Sequence, residues 1–99
     1  MSTVTIVYWR DIPAQVIVGK GRRAAKVQLP ERFEKAIDRA AMKTGLIGTD
    51  SYLTEWRRGE SFEVSGEDEA VAIEQAKLLD SEYDDARLKE LVETGGRAS

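Results

Sequence analysis

TVTIVYWRDIPAQVIVGKGRRAAKVQLPERFEKAIDRAAMKTG, residues 3–45, decides the fold. It opens with the two-residue period of a strand and closes with the 3.6-residue period of a helix. From Thr3 to Arg10, Val4, Ile6 and Tyr8 fall on one side, and Thr3, Thr5, Val7 and Trp9 on the other. β-branched and aromatic residues dominate, and Val7 with Trp9 makes the second face partly apolar, so this segment is a strand. Asp11-Ile12-Pro13 breaks it, because proline lacks a donor and restricts Ile12 to extended geometry. Ala14 to Val18 is a second strand, and so short a connection favours an antiparallel pair. Gly19-Lys20-Gly21 ends or bulges that strand. Arg22 to Leu29 reads as a further extended segment, since Ala25, Val27 and Leu29 alternate with Lys26 and Gln28. Pro30 suits a first helical position, where its missing N–H costs nothing. Phe33, Ile37, Ala40, Ala41 and Thr44 then recur at helical spacing up to Gly45, a natural residue just past a helix end, so 30–44 is a helix. Glu31 and Lys35 pair one turn apart on its outer face.

Working outward, residues 51–58 have two readings. Tyr52, Thr54 and Trp56 alternate as in a strand, whereas Asp50 could cap a short helix with Leu53 and Trp56 inward. The strand is the preferred reading. Gly59 interrupts, and Ser61 to Val64 is extended again. Ser65 and Asp68 have capping-box spacing, and the acids Glu67, Asp68 and Glu69 suit a helix start. Ala72, Ala76, Leu79, Tyr83 and Ala86 form the stripe that follows, continued by Leu88, Leu91 and Val92. An unbroken helix over 67–93 would be about 40 Å long at 1.5 Å per residue, longer than a small domain is wide. A break near Asp80 is therefore expected, with Ser81 and Asp84 as a second capping box. The expected fold is α+β: a small, mainly antiparallel sheet with helices on one face, in the order β-β-α-β-α. A single domain spans 1–94, and 95–99 is a flexible tail. Phe33, Ile37, Leu79 and Tyr83 are expected in the core.

Ninety-nine residues suit one domain. The chain is 41% apolar and 33% charged with a net charge of −3, too small a charge for disorder. It contains neither Cys nor His. That excludes disulfides, thiolate nucleophiles, Fe–S clusters and the Ser-His-Asp triad, and it removes the usual zinc ligands. No apolar run approaches the ~18 residues of a membrane span, and Met1-Ser2-Thr3 carries no basic leader. A cytoplasmic protein without a membrane partner is expected, and no cofactor or metal.

The small net charge hides a division. Residues 1–49 hold nine Lys and Arg against four Asp and Glu, and residues 50–99 hold six against fourteen. Either the halves complement each other or a basic face meets an anionic partner. Lys20, Arg22, Arg23 and Lys26, beside Gly19 and Gly21, form the densest basic run. Arginine forks take carboxylate or phosphate, and glycines let a backbone approach an anion. The preferred reading of the run is that it solvates a hairpin end or pairs with the acidic half. It lacks the spacing of a Walker loop. Trp9-Arg10 and Trp56-Arg57-Arg58 repeat an aromatic–arginine pairing typical of binding hot spots. The alternative is that both tryptophans anchor the core. The acids of the second half mostly suit a helix's first turn or outer face, and none of them forms a calcium loop. The candidate binding surface is thus Trp9, Arg10, Lys20, Arg22, Arg23, Lys26, Trp56, Arg57 and Arg58, with Trp9, Trp56 and Arg57 central and the basic run as a rim. No catalytic residue stands out.

Three blocks carry a resemblance: TIVYWRDIPAQVIVGKGRR (5–23), LPERFEKAIDRAAMK (29–43) and GTDSYLTEWRR (48–58). They resemble the small bacterial "virulence factor" domain family over about residues 4–93, a domain similar to a segment of staphylococcal conserved virulence factor C. The family name describes a phenotype rather than a reaction. The favoured reading is a non-enzymatic interaction or accessory domain of a bacterial assembly with an unidentified protein partner, ahead of a small enzyme. The resemblance implies an accessory setting beside cobalamin- and folate-dependent methyl transfer. The alternative is a binder of an anionic ligand or nucleic acid through Lys20–Lys26. Oligomeric state is left open.

Overall fold

The computed structural model describes residues 2–97. At its centre is β1 (Ser2–Trp9), paired along its length with β2 (Ile12–Val18). A 3-10 turn, Gly21–Arg23, leads to β3 (Ala25–Gln28), which pairs with the outer side of β2. Helix α1 (Glu31–Lys43) and the short α2 (Asp50–Thr54) follow. Then β4 (Trp56–Arg58) and β5 (Phe62–Val64) pair with the two ends of β1. Between them Gly59 N–H donates to Ile6 O at 2.8 Å, which continues the ladder. Helices α3 (Asp68–Glu82) and α4 (Asp85–Glu93) close the chain. The molecule is α+β, with every strand pairing antiparallel and the order β3-β2-β1-β4.

Alternation decides which face is covered. Val4, Ile6, Val16 and Val18 are opposed across the β1–β2 ladder and buried. Helix α3 packs over this face, against β1, β2 and β3, through Val71, Ala72, Ala76 and Leu79. Helix α1 packs on α4 and β2 with Phe33, Ala36, Ile37, Ala40 and Ala41 inward. The Phe33 and Tyr83 rings meet at 6.3 Å. The expected core residues Phe33, Ile37 and Leu79 are buried, and Tyr83 is half-buried against the same cluster.

Several local expectations are corrected. Residues 51–58 are not one strand. Thr49 caps α2, its Oγ1 accepting from Tyr52 N–H at 3.3 Å, and the strand begins only at Trp56. Tyr52 turns inward and Leu53 outward, because Tyr52 packs on Trp9 at 5.7 Å. Strand β2 starts at Ile12 and runs through Pro13. A bulge makes this possible: Val7 opposes Gln15 and Tyr8 opposes Pro13, so Ala14 has no opposite residue. Neither capping box forms. Asp68 accepts from Ser2 Oγ at 2.6 Å instead, tying the start of α3 to β1. Asp84 itself caps α4, accepting from Arg87 N–H at 2.9 Å, and the break expected near Asp80 is present, at Tyr83–Asp84. Pro30 occupies the position before the first turn of α1. In the expected tail, Gly95 and Gly96 are buried, and Gly96 O accepts from Asp11 N–H at 2.8 Å. Residues 98–99 lie outside the described residues.

Candidate functional site

The second face of the sheet can be read off the registers. Thr5 opposes Ile17, which opposes Lys26; Val7 opposes Gln15 and Arg58; Thr3 opposes Glu63. Facing residues project to the same side, so Thr3, Thr5, Val7, Gln15, Ile17, Lys26, Gln28 and Arg58 share one surface. On this side the Thr3–Thr5 end of β1 is open, whereas Trp9, which alternation places on the same side, is covered by Tyr52 of α2. A shallow depression of about 310 Å³ lies at the open end, lined by Thr3, Thr5, Lys20, Lys26, Arg58 and Ser61. The hydroxyls of Thr5 and Ser61 lie 2.8 Å apart, and Thr3 Oγ1 donates to Glu63 at 2.9 Å. Ile17 is only 8% exposed here, because the side chains around it shield it.

Lys20 reaches this depression because Gly19 (φ 100°) and Gly21 (φ 68°) turn the chain through the left-handed region. Arg22 and Arg23 occupy the exposed 3-10 turn beside it. Among the described residues, Lys20, Arg22, Arg23, Lys26 and Arg58 make no ion pair. Other arginines do: Arg10 with Glu55 at 3.3 Å, Arg32 with Asp80 at 2.6 Å, and Arg57 with Asp11 at 3.1 Å. The charge division between the halves therefore has two outcomes. Arg10 and Arg32 pair with the acidic half, and the Lys20–Lys26 run stays uncompensated.

The expected surface does not come together as one patch. Trp9 is fully buried, against the expectation that it centres a binding surface: the bulge and the turn seat its ring beside Tyr52, and its indole N–H donates to Tyr52 O at 3.0 Å. Arg10 is drawn in with it, donating to Gly95 O at 2.9 Å and pairing with Glu55. Arg57 opposes Tyr8, on the helix side, and its guanidinium stacks 4.6 Å from that ring. Trp56 stays on the uncovered face and is 37% exposed, beside Val7, Gln15 and Gln28 in a second hollow of about 250 Å³. Glu34 and Asp38 also line that hollow, so its charge is opposite to the Lys20 end. Burial pushes the Tyr52 phenol above its usual value, with Asp38 adding to the shift. The alternation of Thr3 and Thr5 on β1 was the available signal for the polar floor, and it was legible only as a strand pattern.

The family described as Virulence factor matches residues 7–92. The chain belongs to this family. The match takes in the last three residues of β1, strands β2 to β5 and nearly all of the four helices, and Thr3 and Thr5 lie before it. No curated protein and no solved structure matches the chain. Among its described residues this virulence factor domain groups no set of three or more side chains suited to hold a metal. None of its described helices is long and apolar enough to cross a membrane.

Proposed function

We propose that this virulence factor domain is a non-enzymatic interaction module that docks an acidic surface of a protein partner on the uncovered face of its sheet. The observation that carries the reading is the convergence of Lys20, Lys26 and Arg58 on one depression without an internal ion pair. Cations left uncompensated beside hydroxyl donors can form charge-assisted hydrogen bonds with a partner's carboxylates. Arg22 and Arg23, beside the depression, steer encounter, and Trp56 supplies aromatic area at the far end of the face. An accessory place beside cobalamin- and folate-dependent methyl transfer belongs to the same proposal, because a docking module without a catalytic constellation is what such an accessory contributes. The test is capture from source-cell extract followed by mass spectrometry. A protein retained by the native domain and lost with the Lys26→Glu, Arg58→Glu double variant supports the reading. Equal retention by both overturns it, and Lys77→Glu on α3 is the control for charge reversal elsewhere.

A second reading, nucleic-acid binding, has one observation in its favour: exposed Trp56 and the unpaired cations share one face, as on stacking platforms for single strands. Phosphate contacts release counterions, so oligonucleotide affinity would then fall steeply with salt. Oligonucleotide binding that is absent, or insensitive to salt, removes this reading.

A further inference from the structure

The break between α3 and α4 leaves a groove on the helix side of the sheet, beside β4 and β5. It holds about 390 Å³ and is lined by Tyr8, Arg57, Phe62, Tyr83, Arg87 and Leu91. That volume lies within the range of small-ligand pockets, about 300–1,000 Å³. Two guanidinium–phenol stacks build it: Arg57 at 4.6 Å from the Tyr8 ring and Arg87 at 4.0 Å from the Tyr83 ring. The two arginines are not equivalent. Arg57 is engaged, its Nε donating to Arg10 O at 3.0 Å and its Nη2 to Asp11 at 3.1 Å. The Arg87 guanidinium makes a 3.4 Å bond to Glu82 O and, among the described residues, no ion pair. Its fork is pre-oriented by the ring and has donors to spare. Neither the Tyr8 nor the Tyr83 hydroxyl makes a hydrogen bond among the described residues. Gly59 shapes the site, because a Cβ there would lie 2.8 Å from the Tyr8 ring and 3.2 Å from Ile6 O.

We propose that this groove binds a small monocarboxylate with an apolar body. The planar Arg87 fork matches a carboxylate in bidentate geometry, and the two phenols supply further donors. Phe62 and Leu91 give the body an apolar wall. Asp11 and Glu60 also line the groove, so a second negative charge on the ligand would meet carboxylates. One charge fits better than the two of a phosphate.

The probe is benzoate, followed by NMR chemical-shift titration of the intact chain, with benzamide as the uncharged analogue. Saturable shifts centred on Tyr8, Gly59, Tyr83 and Arg87 are expected, with benzamide at least tenfold weaker. Arg87→Gln should weaken benzoate at least tenfold while leaving the melting temperature unchanged. Tyr8→Phe keeps the ring and should weaken it severalfold. Shifts centred instead on Lys26 and Arg58, equal binding of benzamide, inorganic phosphate binding as tightly as benzoate, unchanged affinity in Arg87→Gln, or no saturable binding would each overturn the proposal.

Discussion

Arg10 shows how much one side chain carries in this fold. It sits in the turn between β1 and β2 at φ 52°, a left-handed conformation that non-glycine residues rarely adopt. Its backbone N–H donates to Glu55 O at 3.1 Å, and its guanidinium reaches Gly95 O and Glu55. The anchors over-determine the strained turn, although Nε is buried with no hydrogen-bond partner. Trp9 and Trp56 divide the roles that their shared motif suggested. Trp9→Ala should cost about 3–5 kcal/mol, because a fully buried indole leaves a cavity. Trp56→Ala should change stability far less and speed dissociation of a partner bound to the uncovered face. Denaturant midpoints and dissociation rates measure the two effects, and a large stability loss in Trp56→Ala would move that residue to the core. Ile37, also buried, should lose about 2–5 kcal/mol on truncation to Ala, read the same way. Tyr8 predicts a pH effect. Burial raises its ionisation above 10.0, Tyr83 adds to this, and Arg57 opposes it. The unfolded chain therefore ionises first, so this contribution is complete below pH 10 and is lost as pH rises through the folded value. Tyr8→Phe should flatten the alkaline loss of stability, and superimposable profiles for the two proteins would refute this.

At the scale of elements, small polar groups decide where helices begin. Asp84 caps α4, and Asp84→Ala should cost about 0.5–2 kcal/mol, with faster amide exchange in the first turn of that helix as the local sign. Arg32 clasps the same break from α1, donating to Asp80 O at 2.7 Å and pairing with Asp80 and Asp85. The α1 helix was legible because its apolar positions repeat over several turns, and the β1–β2 pair because its alternation is long. Residues 51–58 were not, because α2 and β4 are each shorter than the window over which periodicity can be judged. Thr49 is an ordinary cap, yet Asp50 beside it offered the same chemistry. The bulge at Ala14 was equally hidden: Pro13 reads locally as a breaker, and only the partner strand shows that it stays in the ladder.

At the scale of the whole molecule, the C-terminal segment is a structural part of the sheet's far end. Gly96 leaves room for the Trp9 ring, from which a Cβ would lie 2.9 Å, and Gly95 O takes the Arg10 guanidinium. Ending the chain after Thr94 removes Gly95 O and Gly96 O, the acceptors of the Arg10 guanidinium and of Asp11 N–H, and should lower stability by about 2 kcal/mol or more, as charged and backbone hydrogen bonds lose their partners. A melting temperature equal to that of the full chain would contradict this. Sequence by itself determined the α+β class, α1, the β1–β2 pair and the absence of thiol and imidazole chemistry. Those follow from local periodicity and from residue types, which need no partner to be read. Only the tertiary structure decided which Trp is buried, that Arg57 and Arg58 leave the same short strand on opposite faces, and that Lys20, Lys26 and Arg58 converge. The last two depend on register, because adjacent residues in a strand project to opposite sides and distant ones meet only when the ladder places them opposite each other. Trp9 and Trp56 are opposite each other in that ladder and differ because Tyr52 and Gly96 pack on the Trp9 ring.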